Sequence, residues 1–117
     1  MGFGIVCQQD ARHVRLVGEL DLATASHVLE RLQPLTDEGG DIVVDLSELT
    51  FMDATGLQAL ATVARSLRGL GQLVLDRPSA QVRRLFTLCA PMLQDEPALV
   101  VEGDDESHSR RAPYEVG

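Results

Sequence analysis

The residues best suited to chemistry lie where a short apolar strand leads into a helix. Asp53, Ala54, Thr55, Gly56 and Leu57 follow one another there. The aspartate can cap the helix, because its carboxylate accepts hydrogen bonds from unpaired N–H groups of the first turn. A hydroxyl on this turn could receive a phosphoryl group, which adds about −1.5 to −2 charges. Thr55 carries such a hydroxyl, and Ala54 does not.

A second acidic segment, Gly18-Glu19-Leu20-Asp21, precedes an earlier helix. Either Asp21 or Thr24 is suited to cap that helix. The carboxyl ends of parallel strands share one edge of a sheet, and partners bind at that edge. Asp21 and the turn at Asp53 are therefore predicted to lie on the same edge. Gly56, which has no side chain, would let the backbone of a partner approach closely.

The elements that position these residues follow from hydrophobic periodicity. Strands are predicted over 3–9, 12–18, 41–46, 73–75 and 98–101, and the longest helix over 54–68. A first helix carries an apolar stripe from Ala25 to Leu35, and a third begins at Pro78-Ser79 and ends before Pro91. The strand over 41–46 has a composition that suits burial on both faces. Residues 47–53 are predicted to be a loop.

This order of elements predicts an α/β fold in a single domain. The central sheet is expected to be mostly parallel, with about five strands, an antiparallel N-terminal strand and about three main helices. The folded domain is predicted over residues 1–101. Residues 102–117 are acidic at their start and are expected to form a disordered tail.

Composition excludes several classes of function. A net charge of −8 with ten arginines and no lysine argues against binding nucleic acid. No apolar run is long enough to span a membrane, and no secretory signal precedes the domain, so a cytoplasmic location is expected. His13, His27 and His108 are scattered, which predicts no metal site. Cys7 and Cys89 are interpreted as buried thiols. We therefore expect no cofactor and no enzymatic activity. The sequence does not indicate which oligomeric state the chain adopts.

The two acidic segments, in their order and separation, resemble the motifs of STAS-domain anti-sigma factor antagonists of the sporulation and stress-response type. In that family an aspartate is usually followed by a serine, which a partner kinase phosphorylates, then by Ser or Thr and by Gly-Leu. Asp53, Thr55, Gly56 and Leu57 match this motif, whereas Ala54 occupies the phosphoacceptor-equivalent position. The resemblance covers most of residues 3–101.

The resemblance implies a partner-switching protein that binds an anti-sigma factor, itself a serine kinase, and so releases a sigma factor. By position, Asp21, Asp53, Ala54, Thr55, Gly56 and Leu57 would form the partner-binding face. Three interpretations of Ala54 remain open: a constitutive antagonist, phosphorylation of Thr55 instead, or an engineered alanine that freezes the unphosphorylated state. One helical step rotates Thr55 by ~100° from position 54.

An alternative function uses the same face. A STAS subunit of a bacterial lipid-transport ABC complex would dock on an ATPase through it, and such a chain would be a component of a transporter. A scaffold unit of a larger signalling assembly is a further alternative, but it calls for a sensory domain that 117 residues do not contain.

Overall fold

The chain folds around one five-stranded sheet. The computed structural model describes residues 3–7, 12–93 and 98–102. The strands are β1 (Phe3–Cys7), β2 (His13–Leu20), β3 (Ile42–Met52), β4 (Leu73–Asp76) and β5 (Leu99–Glu102). The helices are α1 (Ala25–Leu32), α2 (Ala54–Leu67), α3 (Ala80–Leu88) and the short α4 (Ala90–Leu93), and a 3₁₀ helix spans Gln33–Glu38.

The strands lie side by side in the order in which they occur in the chain. β1 is antiparallel to β2, and each later strand is parallel to its predecessor. Parallel crossovers are almost always right-handed, so crossovers that all step in one direction place their helices on one face of the sheet. This architecture confirms the predicted fold class.

The core lies between this sheet and its helices. Alternate residues of β2, β3 and β4 are buried in one cluster with Val28 of α1, Leu60 of α2 and Val82 of α3. The strand residues between them, such as Val43 and Val74, are half-buried. The prediction that the third strand is covered on both faces therefore holds only in part, because its helices cover one face completely, whereas on the other face Asp45 is buried and Val43 is half-buried.

β3 is much longer than predicted. The sequence indicated a strand over 41–46 and a loop over 47–53, but β3 continues to Met52. The added length pairs with the end of β2, from Val17 opposite Glu48 to Leu20 opposite Met52, and the pairing of the two strands includes two register irregularities. The parallel neighbour supplies hydrogen bonds that residue composition alone does not reveal. Asp53 consequently lies directly at the end of a strand.

The helices agree closely with the hydrophobic pattern. α2 spans 54–67, one residue shorter than predicted. α1 ends at Leu32, and Pro34 falls in the 3₁₀ helix, consistent with the loosened last turn that proline predicts. α3 ends at Leu88, while Pro91 lies inside α4.

Some of the predictions concern residues outside this description. The tail beyond Glu102, His108 within it and the side chain of Cys7 lie outside the described residues. Cys89 is half-buried and its thiol is free. Among the described helices, none is long and apolar enough to cross a bilayer.

Candidate functional site

The turn between β3 and α2 is fixed by hydrogen bonds on both sides. Asp53 adopts an extended backbone and caps α2, its Oδ1 accepting from the Gly56 N–H at 3.0 Å. Its own N–H donates to the Leu20 carbonyl at the end of β2, at 3.2 Å. The first turn of α2 is thereby tied to both β2 and β3, so its position relative to the sheet is set by backbone geometry.

Gly56 and Leu57 hold this turn from inside. A Cβ atom at Gly56 would lie 2.7 Å from both the carbonyl oxygen and the Cγ of Leu20, so glycine is required for α2 to approach β2 this closely. Leu57 is fully buried in the core. Neither residue offers a side chain to a partner, and the space above Gly56 is occupied by the chain's own Leu20.

Ala54 and Thr55 form the outer part of the same turn. Ala54 is exposed at the first helical position, and Thr55 is half-buried. The methyl group of Ala54 therefore occupies the accessible position, while the side chain of Thr55 leaves the helix in a direction about 100° away.

Asp21 lies on the same edge but does not cap α1. Its Oδ1 accepts from the Ala23 N–H at 3.0 Å, while the Thr24 hydroxyl donates to the Glu19 carbonyl at 2.9 Å. Thr24 occupies the N-cap position of α1, yet its side chain makes no capping hydrogen bond. Its hydroxyl oxygen instead accepts from the Asp21 N–H at 2.9 Å. The predicted side-chain cap was wrong, because both residues stabilise the loop that precedes the helix.

Two exposed apolar side chains at this edge were missed in the sequence. Leu22, in the loop after β2, is 76% exposed, and Phe51, near the end of β3, is 39% exposed. Phe51 lies beside Glu19 in the register of β2 and β3. A leucine just before a helix is the signal that could have found Leu22. Phe51 fell within the predicted loop, where its orientation could not be assigned. We define the carboxyl edge as residues 19–23 and 51–55.

The charge around the carboxyl edge is mainly negative. Glu19 and Glu48 are exposed, and Asp21 and Asp53 are half-buried. Arg15 Nη1 lies 4.0 Å from Glu48 Oε2. The Oδ2 atom of Asp53 has no hydrogen-bond donor among the described residues. Leu22 and Phe51 are exposed apolar side chains that neighbour acidic residues along the chain and in the strand register, which favours a partner surface that is both apolar and basic.

A different acidic group, Asp45, is fully paired. It is buried on β3, and its Oδ2 accepts from Arg77 Nη2 at 2.9 Å and from Arg15 Nε at 3.4 Å. Its Oδ1 accepts from the Ser47 N–H at 2.8 Å. Burial raises the pKa of Asp45, but the hydrogen bonds of Ser47, the charge of Arg77 and the hydrogen bond of Arg15 outweigh it, so the pKa lies below its usual range.

The remaining candidates offer no second site. His27 stacks on Phe3, with ring centroids 6.1 Å apart, beside a shallow groove between β1 and α1. Within residues 3–7, 12–93 and 98–102, no group of three or more His, Cys, Asp or Glu side chains could hold a metal ion.

The fold is an α/β domain with its helices on one face of the sheet. Its candidate site is the carboxyl edge, where exposed apolar and acidic side chains lie at the ends of the strands. A family model described as "Mlab, STAS domain" matches residues 4–90. The chain belongs to the STAS-domain family.

Relatives of known name agree with this assignment. The anti-sigma-B factor antagonist of Bacillus subtilis is 32% identical over 76 residues, which cover 64% of this chain and 70% of that protein. The anti-sigma-B factor antagonist of Listeria monocytogenes is 34% identical over 85 residues, which cover 69% of this chain and 75% of that protein.

Solved structures show the same fold. The anti-sigma factor antagonist SpoIIAA in its unphosphorylated form aligns with a TM-score of 0.62 and 19% identity, over 97% of this chain and 98% of that one. The phosphorylated form of the Bacillus protein SpoIIAA aligns with a TM-score of 0.59 and 21% identity, over 94% and 99% of the two chains.

Proposed function

We propose that this chain is a cytoplasmic, non-catalytic anti-sigma factor antagonist. It binds an anti-sigma factor of the serine-kinase type through the carboxyl edge, and this binding releases a sigma factor. The observation that carries the proposal is the turn at Asp53, which presents an exposed helix N-terminus beside Asp21. The names of its relatives supply the class of partner.

The surface chemistry supports protein docking. Leu22 and Phe51 offer apolar area that is already exposed, so a partner can bury it without rearranging the core. Asp21, Asp53, Glu19 and Glu48 surround this area with negative charge. Such a rim selects a basic partner surface and accelerates the encounter. Ala54 and Thr55 contribute the exposed part of the helix end, whereas Gly56 and Leu57 act by positioning it.

Ala54 removes the acceptor oxygen at the position where the family carries a serine. A phosphoryl group there would place negative charge inside the docked interface and oppose binding. Without that oxygen, we propose that the chain binds its partner constitutively. Thr55 is the alternative acceptor, but it is half-buried and rotated away from position 54.

Binding is tested by capture from the native host with the purified chain on beads. We expect a serine-kinase-type anti-sigma factor, identified by peptide mass spectrometry. Leu22→Ser should reduce capture about tenfold, because an exposed leucine buried at an interface is worth about 1–2 kcal/mol. Leu88→Ser is the matched control, since Leu88 is 72% exposed at the far end of α3. Equal capture by both variants would contradict docking at the carboxyl edge.

Phosphorylation is tested with the captured kinase and ATP, by intact-mass spectrometry. We expect the chain to stay unmodified and Ala54→Ser to gain one phosphoryl group. A phosphoryl group on Thr55 of the unaltered chain would contradict constitutive binding, while leaving the choice of partner intact.

One observation favours a second function, that of a STAS subunit of a bacterial lipid-transport ABC complex. A permanent subunit needs no phosphate switch, and Ala54 provides none. Capture of an ATPase together with a permease, in place of an anti-sigma factor, would support this function.

A further inference from the structure

In the part of the chain that the structure describes, the end of β3 has a neighbouring strand on one side only. β4 pairs only with Ile42–Asp45, whereas β3 continues to Met52. On its other side, β3 keeps β2 as a partner up to the pair Leu20 and Met52. Backbone groups on the open side need another partner, because a buried N–H or C=O without a hydrogen bond costs free energy.

The side chain of Gln81 supplies that partner at Met52. Its Oε1 accepts from the Met52 N–H at 3.1 Å, and its Nε2 donates to the Met52 carbonyl at 3.0 Å. One amide thus makes the two hydrogen bonds that a neighbouring strand would otherwise make with Met52. Met52 is fully buried and directly precedes Asp53, the cap of α2.

Gln81 is itself held in place by the first turn of α3. Ser79 caps this helix, its hydroxyl accepting from the Val82 N–H at 3.3 Å. Val82 is fully buried in the core. Gln81 therefore belongs to a helix end that is itself fixed. Its amide can for this reason hold the backbone of Met52 in place.

We propose that Gln81 is a positioning residue that completes the sheet beside Met52 and fixes the turn from Asp53 to Gly56. Its consequence for partner binding rests on the proposed function of that turn. α3 contributes no residue to the carboxyl edge. Through the contact between Gln81 and Met52, it nevertheless helps to orient that edge. A change on α3 that moves Gln81 would alter docking without touching the interface.

The amide chemistry permits a test that separates positioning from general stability. Gln81→Met keeps the length of the side chain and removes both hydrogen bonds. Gln81→Glu keeps an acceptor for the Met52 N–H, but an ionised carboxylate cannot donate to the Met52 carbonyl. When the introduced carboxyl is protonated, below about pH 4.3, it can donate again. Rescue by acid is therefore expected for Gln81→Glu and not for Gln81→Met.

The measurement is amide hydrogen exchange by NMR on the isolated chain, which needs no partner. In Gln81→Met we expect protection of the Met52 and Gly56 amides to fall about tenfold, because both hydrogen bonds to the Met52 backbone are lost locally. Leu60, which is fully buried in the middle of α2, serves as the core reference and should keep its protection. Gln72→Met is the matched control, since Gln72 is exposed just before β4.

Each outcome of these measurements supports or overturns the role of Gln81. Local loss of protection in Gln81→Met, with acid rescue in Gln81→Glu, supports the proposal. Unchanged protection at Met52, or an equal loss at Leu60, overturns it whatever the partner is. With the captured anti-sigma factor, Gln81→Met should also bind about tenfold more weakly than Gln72→Met. Local loss without weaker binding would overturn the docking role of the turn and leave the positioning intact.

Discussion

Asp45 and Asp53 belong to the same stretch of chain, yet their carboxylates are used in opposite ways. Asp45 is buried, and both of its oxygens accept hydrogen bonds, from Ser47, Arg15 and Arg77. Asp53 is half-buried and uses Oδ1 to cap α2. The first carboxylate links β3 to β2 and to the end of β4, whereas the Oδ2 atom of the second has no hydrogen-bond donor among the described residues.

The number of satisfied acceptors separates a structural carboxylate from one that is available for binding. A paired, buried carboxylate stabilises the fold and has no acceptor oxygen available to a ligand. A helix-capping carboxylate at an exposed end combines a small contribution to stability with free acceptor capacity and charge. The two residues should therefore show opposite effects on stability and on partner binding.

Gly56→Ala should have the largest effect on stability. It displaces the Asp53 turn by a steric clash and leaves both carboxylates unchanged. The added methyl group would lie 2.7 Å from the backbone oxygen of Leu20, which cannot move without shifting β2. We expect the free energy of unfolding to fall by about 2–3 kcal/mol, as measured by urea denaturation.

Gly4→Ala is the control for this substitution. A Cβ atom at Gly4 would meet no heavy atom of the described residues within 4 Å, so little change is expected. Equal stability of Gly56→Ala and Gly4→Ala would show that α2 does not depend on its close approach to Leu20.

Asp45→Asn should have an intermediate effect that is confined to stability. It removes a charge bound by two arginines, and we expect a loss of about 1–2 kcal/mol, moderated because Arg15 and Arg77 are partly exposed. Capture of the anti-sigma factor should remain unchanged. Reduced capture at full stability would contradict the structural role of this carboxylate.

The pH dependence of this variant has a defined sign. The folded-state pKa of Asp45 lies below the usual value of an aspartate, so its contribution is present at neutral pH and is lost as the pH falls from about 4 through the folded pKa. The difference in stability between the unaltered chain and Asp45→Asn should shrink in that window. Urea denaturation at pH 7 and at about pH 3 measures it.

The fold was predictable from the sequence because its signals are local. The apolar stripes of α1 and α2 and the strand–helix alternation identify the elements and their order. The length of β3 could not be predicted, because residues 47–52 become a strand only through pairing with β2 and with the Gln81 amide. These partners are distant in sequence and leave no periodic pattern.

The sequence located the candidate site along the chain, but it did not predict which of its residues are exposed and which are packed against the domain. The family motif located Asp21 and the Asp53 turn, and both lie at the carboxyl ends of adjacent strands. Whether a residue such as Gly56 faces a partner or Leu20 depends on packing, which the motif does not record. Exposure of Leu22 is likewise a property of the folded loop.

The smallest effect on stability is expected at Asp53. Asparagine caps helices about as well as aspartate, so the free energy of unfolding of Asp53→Asn should lie within about 0.5 kcal/mol of that of the unaltered chain, whereas Asp53→Ala should lose about 1 kcal/mol. If the carboxyl edge is the docking surface we propose, capture of the anti-sigma factor should nevertheless fall for both variants, because both remove a negative charge from that edge.

Two other results at Asp53 would contradict a binding role for its charge. If Asp53→Asn retained full capture while Asp53→Ala lost it, the residue would act through its cap alone. Full capture by both variants would place the docking surface elsewhere on the domain. Weak binding at unchanged stability, the expected result, is the reverse of that expected for Asp45→Asn. The two variants measured together therefore separate charge that holds the sheet from charge that recognises a partner.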